Sequence, residues 1–416
     1  MTAAHVFDDG LPQLSPLTDL RPSFDVRTGA LTTLERLSLA LKLRVSSLQV
    51  PPRLAALTAK RHSLPVNTAI TGSNPVLLIN GRCVLPIPQL LELERGQSLV
   101  ESGTGHLIAA CLEPAAAHLF LSTSGTPPLE QTTVPGPALL SRPWHVRSFR
   151  DAALAKDLEL LSEQEPNAMT SLEEPAQGRR YDPPHGIVYL GGHVVISPTA
   201  KVYPSVVLDS EGGPIHIADH AIIRPGAILI GPCYVGPHST VLERATIRPG
   251  TAIGPWCKVN GEVGGTIFQG YANKAHDGYL GDAYVGEWVN LGAGTTVSNL
   301  LNTYGEIITR ATPKGSNERT GETFLGPIIG DHVKTAISTR IMTGAVLHTG
   351  SMFATTAAVS GCVPAFSWAT DEGRRQYRLD KFLEVAAAAM TRRKVELSEH
   401  YKAAIAALHA AATAPA

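Results

Sequence analysis

Branched aliphatic residues recur at every sixth position between Ile217 and Val259, as Ile217, Ile223, Leu229, Val235, Val241, Ile247, Ile253 and Val259. Four residues after the first seven of these stands a small side chain: Ala221, Ala227, Cys233, Ser239, Ala245, Thr251 and Cys257. A period of six matches neither the 3.6-residue turn of a helix nor a two-residue alternation. It predicts a solenoid in which each hexad is one short strand plus a corner, with the aliphatic aimed at the axis and the small residue permitting the turn. An ordinary sandwich would space its strands at roughly 8 to 12 residues.

The count begins earlier, at Ile196, Val202 and Leu208, and extra residues near Ser210 to Pro214 reset its phase. It fails after Val259, resumes at Tyr279, Val285, Leu291 and Val297, fails again, and resumes at Ile329, Thr335, Ile341, Leu347, Phe353 and Val359. If three hexads make a turn, this gives about seven coils and a rod of roughly 34 Å. Inserted residues have no room inside a coil, so Asn260 to Gly278 and Ser298 to Ile328 are predicted to leave the rod as loops. Loops on rigid scaffolds are where binding and catalysis concentrate. The periodic stretch resembles the hexapeptide-repeat transferases, and that resemblance implies a left-handed parallel β-helix.

Residues 1–150 lack the period. Val76 to Asn80 reads as a buried strand and Leu31 to Val45 as an amphipathic helix starting near Thr32 or Thr33, a mixture that suggests an α/β domain. A charged helix from about Phe149 to Glu165 and an extended Pro166 to Pro184 segment fill 151–185, the solenoid occupies 186–363, and a helical segment 364–416. In that last segment one helix is expected over Asp371 to Lys394 and another over about Glu396 to Ala412, covering the open solenoid end.

The first domain carries FDDG (Phe7 to Gly10), SPLTDLRP (Ser15 to Pro22), FDVRTGALTTLER (Phe24 to Arg36) and LLINGR (Leu77 to Arg82). These resemble the alternative bacterial bifunctional UDP-N-acetylglucosamine diphosphorylase and glucosamine-1-phosphate N-acetyltransferase family, over nearly the full chain. The resemblance implies a nucleotidyltransferase-like domain joined to an acyltransferase β-helix. Nucleotidyl transfer needs a phosphate cradle and metal-binding carboxylates. The chain has no Gly-rich basic loop after its first strand and has Asn80-Gly81-Arg82 where related enzymes place an aspartate. Asp8, Asp9, Arg21 and Arg27 either serve a nucleotide, with Mg2+ if the domain is active, or are structural, the arginines pairing with Asp19 or Asp25.

The first break reads Tyr271-Ala-Asn-Lys274-Ala-His276-Asp277-Gly-Tyr279-Leu-Gly-Asp282, followed by Val289-Asn290-Leu-Gly-Ala293-Gly and Ser298-Asn299. It resembles the acetyltransferase site of the bifunctional uridyltransferase/N-acetyltransferase family, with matching spacing from His276 through Tyr279 to Asn290 and Asn299. Lys274 is one residue closer to His276 than in that pattern, Leu300 replaces a tyrosine, and the second loop is longer.

An amine attacking a thioester must lose a proton, and histidine suits that task near neutral pH. The resemblance makes His276 the general base. Arg248, Lys258, Lys274, Tyr279, Asn290 and Asn299 become substrate contacts; Ala293, Thr335 and Ala336 lie along acetyl-CoA. The corner Gly292-Ala293-Gly294 offers N–H donors for an oxyanion. It further implies a homotrimer acting on a small-molecule sugar phosphate or nucleotide sugar. A nucleotidyltransferase with a structural β-helix, and an inert scaffold or sugar-nucleotide sensor, stay open as competing readings.

A net charge of −1 and a pI near 7.0 argue against nucleic-acid or membrane-surface binding driven by bulk charge. Five scattered cysteines without a CxxC pair, an acidic N-terminus and no long apolar run point to a cytoplasmic protein. His216 and His220 are four apart, but a six-residue coil does not put that spacing on one face, so no metal site is expected.

Overall fold

The computed structural model describes residues 3–123, 129–164 and 186–414. The expected linker, Pro166 to Pro184, lies outside the described residues. The N-terminal domain is a six-stranded mixed sheet built from β1 (Ala4–Phe7), β2 (Val45–Gln49), β3 (Val76–Asn80), β4 (Gln97–Glu101), β5 (Leu107–Leu112) and β6 (Glu130–Val134) in the order β2-β1-β3-β5-β4-β6. β1 runs parallel to β2 and β3, and β5 is antiparallel to both β3 and β4. The expected first helix is α1 (Thr33–Ala40); it starts at a capping box in which Thr32 accepts from the Glu35 N–H and Glu35 accepts from the Thr32 N–H. Helices α2 (Ala55–Arg61) and α3 (Pro114–Thr123) follow, and α4 (His145–Gln164) closes the domain.

The periodic region is a parallel β-helix with three faces. Face one runs from Val188–Leu190 to Tyr279–Gly281 through six strands, and face two from Val194–Ile196 to Cys362–Val363 through nine. Face three runs from Lys201–Val202 to Asn273–Lys274 and continues through bridges at Asn290 to Lys334–Thr335. The six-residue aliphatics line the interior, where nearly all are fully buried.

Nine rungs exceed the seven coils that the hexad count gives, one because Cys362–Val363 pairs on beyond the last counted hexad and one because Asn260 to Gly278 does not leave the rod. It supplies Glu262–Gly264, Ile267–Phe268 and Asn273–Lys274, one strand to each face. Val241 pairs with Val259, and Val259 with Lys274, so this coil spans 15 residues where the one before spans 18. The residues are lost at corners while the strands still pair, which hides the coil from a fixed count of six. Ser298 to Ile328 does leave the rod. It forms an antiparallel pair, Ile308–Thr309 with Glu318–Arg319, and buries Ile307, Ala311 and Leu325 against Leu14, Trp144 and Val146 of the same chain.

From Tyr234 to Val346 the outward residues of face two are apolar: Tyr234, Ala252, Ile267, Tyr284, Ile328 and Val346. The N-terminal domain and α4 cover them with Leu17, Val26, Ala30, Trp144, Leu154 and Leu158. One buried ion cluster fixes this contact, and a second ties α4 to α1 behind it. Both oxygens of Asp331 accept from Arg21 Nη2 at 2.8 Å, and Glu287 lies 3.2 Å from the same nitrogen. Arg36 holds Asp157 of α4 at 2.6 and 2.8 Å.

The C-terminal segment departs from expectation. Residues 371–378 do not begin a helix: Ser367–Thr370 and Gly373–Gln376 form a hairpin that extends face three, because Asp371 is held in the turn by the Thr356 N–H and Thr355 hydroxyl. Helix α5 (Leu379–Thr391) and α6 (Glu399–Thr413) then pack along one corner of the rod, on Trp288 and Phe366, instead of over its end.

Arg21→Met would strand Asp331 and Glu287 without their shared cation. Removing one member of a buried pair costs about 3–5 kcal/mol, so urea unfolding should show a loss of that size; an unchanged transition would remove this cluster from the forces holding the domains together.

Candidate functional site

Lys274 stands in the inward column of face three, after Val241 and Val259. Its aliphatic stem fills an aliphatic position, and its ammonium turns to the corner to donate to the carbonyls of Asn260 (2.9 Å) and His276 (2.8 Å). Burial pulls its pKa down to about 8. This lysine therefore staples the corner and does not face a substrate, a correction that follows from the 15-residue coil. Thr335 occupies the same column and is buried; its hydroxyl accepts from the Gly292 N–H at 3.0 Å and lies 2.8 Å from that of Thr295. Its hydroxyl is thus engaged inside the rod.

The corner that Lys274 fixes carries His276 and Asp277, both exposed. Gly278 completes it at φ +121°, where a Cβ would lie 2.1 Å from the Thr295 carbonyl. Beyond it Tyr279 starts the last strand of face one. Its phenol oxygen accepts from Asn299 Nδ2 at 3.1 Å, and the same nitrogen donates to Asp282 at 2.8 Å. Asp282 is in turn gripped by Arg150 at 2.7 Å and Arg147 at 3.1 Å, both on α4. Arg248 lies on this face, exposed and paired with Glu262 at 2.6 Å.

Lys258 and Asn290 lie elsewhere. They project from the outward column of face three, in which Lys258, Asn273, Asn290 and Lys334 are successive neighbours. The structure thus brings Tyr279 and Asn299 together with Arg248 on their face, sets His276 at the edge between faces three and one, and places Asn290 and Lys258 around that edge. Ala293 and Ala336 are half-buried in adjacent coils near the next corner. The Gly294 N–H donates to the Asp277 carbonyl at 3.1 Å, so with Gly292 also engaged only the middle donor of that corner remains a candidate for an oxyanion.

In the N-terminal domain the four nucleotide candidates are largely committed to the fold. Asp8 is buried and accepts from the Gly10 and Ser23 N–H groups, and burial raises its pKa. Asp9 is held by Arg82 at 2.6 Å and by Asn80 at 3.1 Å. Arg82 thus occupies the carboxylate expected to bind Mg2+, and these residues do not fit a metal-binding pair. Arg21 and Arg27 are structural, but not through Asp19 or Asp25: Arg21 reaches Asp331, and Arg27 donates to the Gln269 carbonyl at 3.2 Å, both across the domain contact. A cavity of about 640 Å³ does open beside Asp8 and Asp9, between Gln49, Asn67 and Phe120.

Two features escaped the sequence reading. His220, His238, Trp256, Tyr271, Trp288 and His332 stack along one corner with ring separations of 4.2 to 6.3 Å, each at φ between 54° and 61°. The 18-residue spacing of the first three was the available signal. The second is an interdomain cavity of about 600 Å³ walled by Asp25, Arg27, Glu35, Arg61, His62 and Glu287, which no local spacing announces.

Residues 5–165 match the sugar nucleotidyl transferase family. The chain is 37% identical over 112 residues to the bifunctional protein GlmU of Gloeobacter violaceus, covering 26% of this chain and 24% of that one. It is 32% identical over 134 residues to a bifunctional sugar-1-phosphate nucleotidylyltransferase/acetyltransferase of Sulfurisphaera tokodaii, covering 32% and 33%. The chain therefore spans about a quarter to a third of the length of these curated relatives. Among solved structures, a Francisella novicida UDP-N-acetylglucosamine acyltransferase is 13% identical, with 49% of this chain and 72% of that one covered and a TM-score of 0.20. The assignment of a parallel β-helix rests on the strand ladders themselves.

Between its folded value near 8 and its unfolded value of 10.5, Lys274 holds fewer protons in the folded state than in the unfolded chain, so its contribution to stability rises with pH across that window. The unfolding free energy of the wild type minus that of Lys274→Met, measured in denaturant at pH 7.5 and pH 10, should increase. A flat difference would put the ammonium in water.

Proposed function

We propose that the chain transfers the acetyl group of acetyl-CoA to the amine of an amino-sugar 1-phosphate, with His276 as general base. The carrying observation is the corner itself: Lys274 pins the His276 carbonyl from inside, so the imidazole projects into solvent within one residue pair of Tyr279. The amine gives its proton to His276 as it attacks the thioester carbonyl, and the Ala293 N–H receives the developing oxyanion; the intermediate then collapses with cleavage of the C–S bond, and the protonated His276 returns the proton to the departing coenzyme A thiolate. Arg248 takes the sugar phosphate, while Tyr279 and Asn299 hold the sugar hydroxyls.

Face two is occupied by the chain's own N-terminal domain, whereas faces one and three carry separate parts of the substrate set. Completing the set means bringing face one of one copy to face three of another, which a closed threefold ring does for every copy. Exposed Val188, Leu190 and Ile228 on face one supply apolar area for that contact. The long Ser298 to Ile328 loop packs on its own α4 through Ser148–Glu322 and on the segment just before it through Arg142–Glu318, so it braces its own chain's Asp282 clamp. No described helix is long and apolar enough to cross a membrane, and all five cysteines are free, which suits a reducing cytoplasm.

The Arg82–Asp9 pair favours a binding or bracing role for the N-terminal domain over nucleotidyl transfer. With UTP, a sugar 1-phosphate and Mg2+, pyrophosphate release should stay at background; turnover would restore the bifunctional reading.

Thiol release from acetyl-CoA with glucosamine 1-phosphate should fall in His276→Ala by about 100-fold or more, the usual weight of a general base. Undiminished turnover would reassign the base. A wild type inactive on every amino-sugar phosphate would leave the scaffold or sensor reading in its place.

A further inference from the structure

Helix α5 lies along face three and closes a cavity of about 290 Å³ over Asn273, Asn290 and Lys334. Val385, Ala388 and Ala389 form its apolar wall, and Arg392 and Arg393 stand at its rim. No carboxylate lines it. Neither Lys334, Arg392 nor Arg393 makes an ion pair among the described residues, nor does Lys258, one further position along the same column. The Lys334 ammonium has one contact, the Trp288 carbonyl at 3.4 Å, and burial holds its pKa down at about 8. Asn273 donates to the amide oxygen of Asn290 at 2.9 Å, which leaves the Asn290 NH2 free to serve as a donor.

Three cations border one partly apolar cavity with no carboxylate in its lining, and burial weighs against the charged form of Lys334 and Arg393, while Arg392 is exposed. Their lining offers donors and hardly any acceptor. The ligand that matches such a lining is compact, multiply charged and rich in acceptor oxygens, and Arg and Lys both recognise phosphate in this way. We propose that the cavity between face three and α5 binds a phosphate monoester, with Lys334, Arg392 and Arg393 as its cations and the Asn290 amide as an orienting donor. The volume accommodates the phosphate and about one ring, with the remainder of a larger molecule leaving past Lys258. Two sources share this chemistry, a sugar phosphate and the 3′-phosphate of coenzyme A. Binding here goes beyond acyl transfer and does not need His276.

Isothermal titration of the full-length protein separates the sources: glucosamine 1-phosphate against glucosamine, and coenzyme A against dephospho-coenzyme A, with inorganic phosphate as competitor. One phosphorylated probe should bind at least ten-fold more tightly than its dephosphorylated counterpart and be displaced by phosphate. Lys334→Met and Arg393→Met should each weaken it ten-fold or more, while Arg95→Met, an exposed cation of the N-terminal domain, should bind as wild type does. Equal binding of each pair, or wild-type affinity in a folded Lys334→Met/Arg393→Met double variant, would overturn the proposal. Independently of any variant, the phosphorylated probe should protect Lys334 of the wild type from acetic anhydride, read by peptide mass spectrometry; unchanged labelling would overturn it equally.

Discussion

Each coil of the rod passes its backbone donors and acceptors to the next across a strand spacing of about 4.8 Å, so a residue at one point of a coil meets its counterpart in the coil above. This constraint makes columns. The inward columns became aliphatic, the face-two outward column became apolar enough to seat the N-terminal domain, and one corner became a stack of six aromatic rings. The same constraint turns Lys274 into the rod, because its strand must register with Val259 whatever side chain it brings. Its carbonyl contacts then shape the corner from which His276 projects.

The domain contact is a second consequence of columns. Face two presents Tyr234, Ala252, Ile267 and Tyr284 in a row, a surface too apolar to leave in water, and Arg21 and Arg27 cross it to partners on the rod. Charged residues in the SPLTDLRP and FDVRTG segments that look suited to a nucleotide are used instead to fasten one domain to the other. Asp9 is similarly spent on Arg82. The sugar nucleotidyl transferase resemblance thus persists in a sheet whose charged groups have mostly been turned to holding the molecule together.

Much of this was legible in the chain. The hexad run announced the β-helix, the strand at Val76 to Asn80 was found to the residue, and Tyr279 and Asn299, picked out by spacing, do meet through a hydrogen bond, with His276 three residues before Tyr279 on an exposed corner. The rest was hidden for definable reasons. A coil of 15 residues pairs as well as one of 18, so counting in sixes mistook it for a loop and hid that Lys274 falls in the inward column. Partners such as Asp331 for Arg21 lie 310 residues away, beyond any local pattern. The hairpin after Thr370 was masked by residues that also suit a helix start, and only the acceptors around Asp371 decide between them.

The shortened coil gives the molecule a kind of cylindrical address. Position within a coil sets the angle at which a side chain leaves the axis, and coil number sets its height. Removing three residues at corners altered neither the angle of the strands nor their height, so Asn273 still falls in line with Lys258 below and Asn290 above. A whole coil could be gained or lost between Val202 and Val259 and the edge bearing His276 would slide along the axis without turning. A single residue lost inside a strand would instead swing every later side chain to a new bearing. Length variation in such a chain is therefore quantised, with the strands as the units that must be kept whole and the corners as the only places where the count is free.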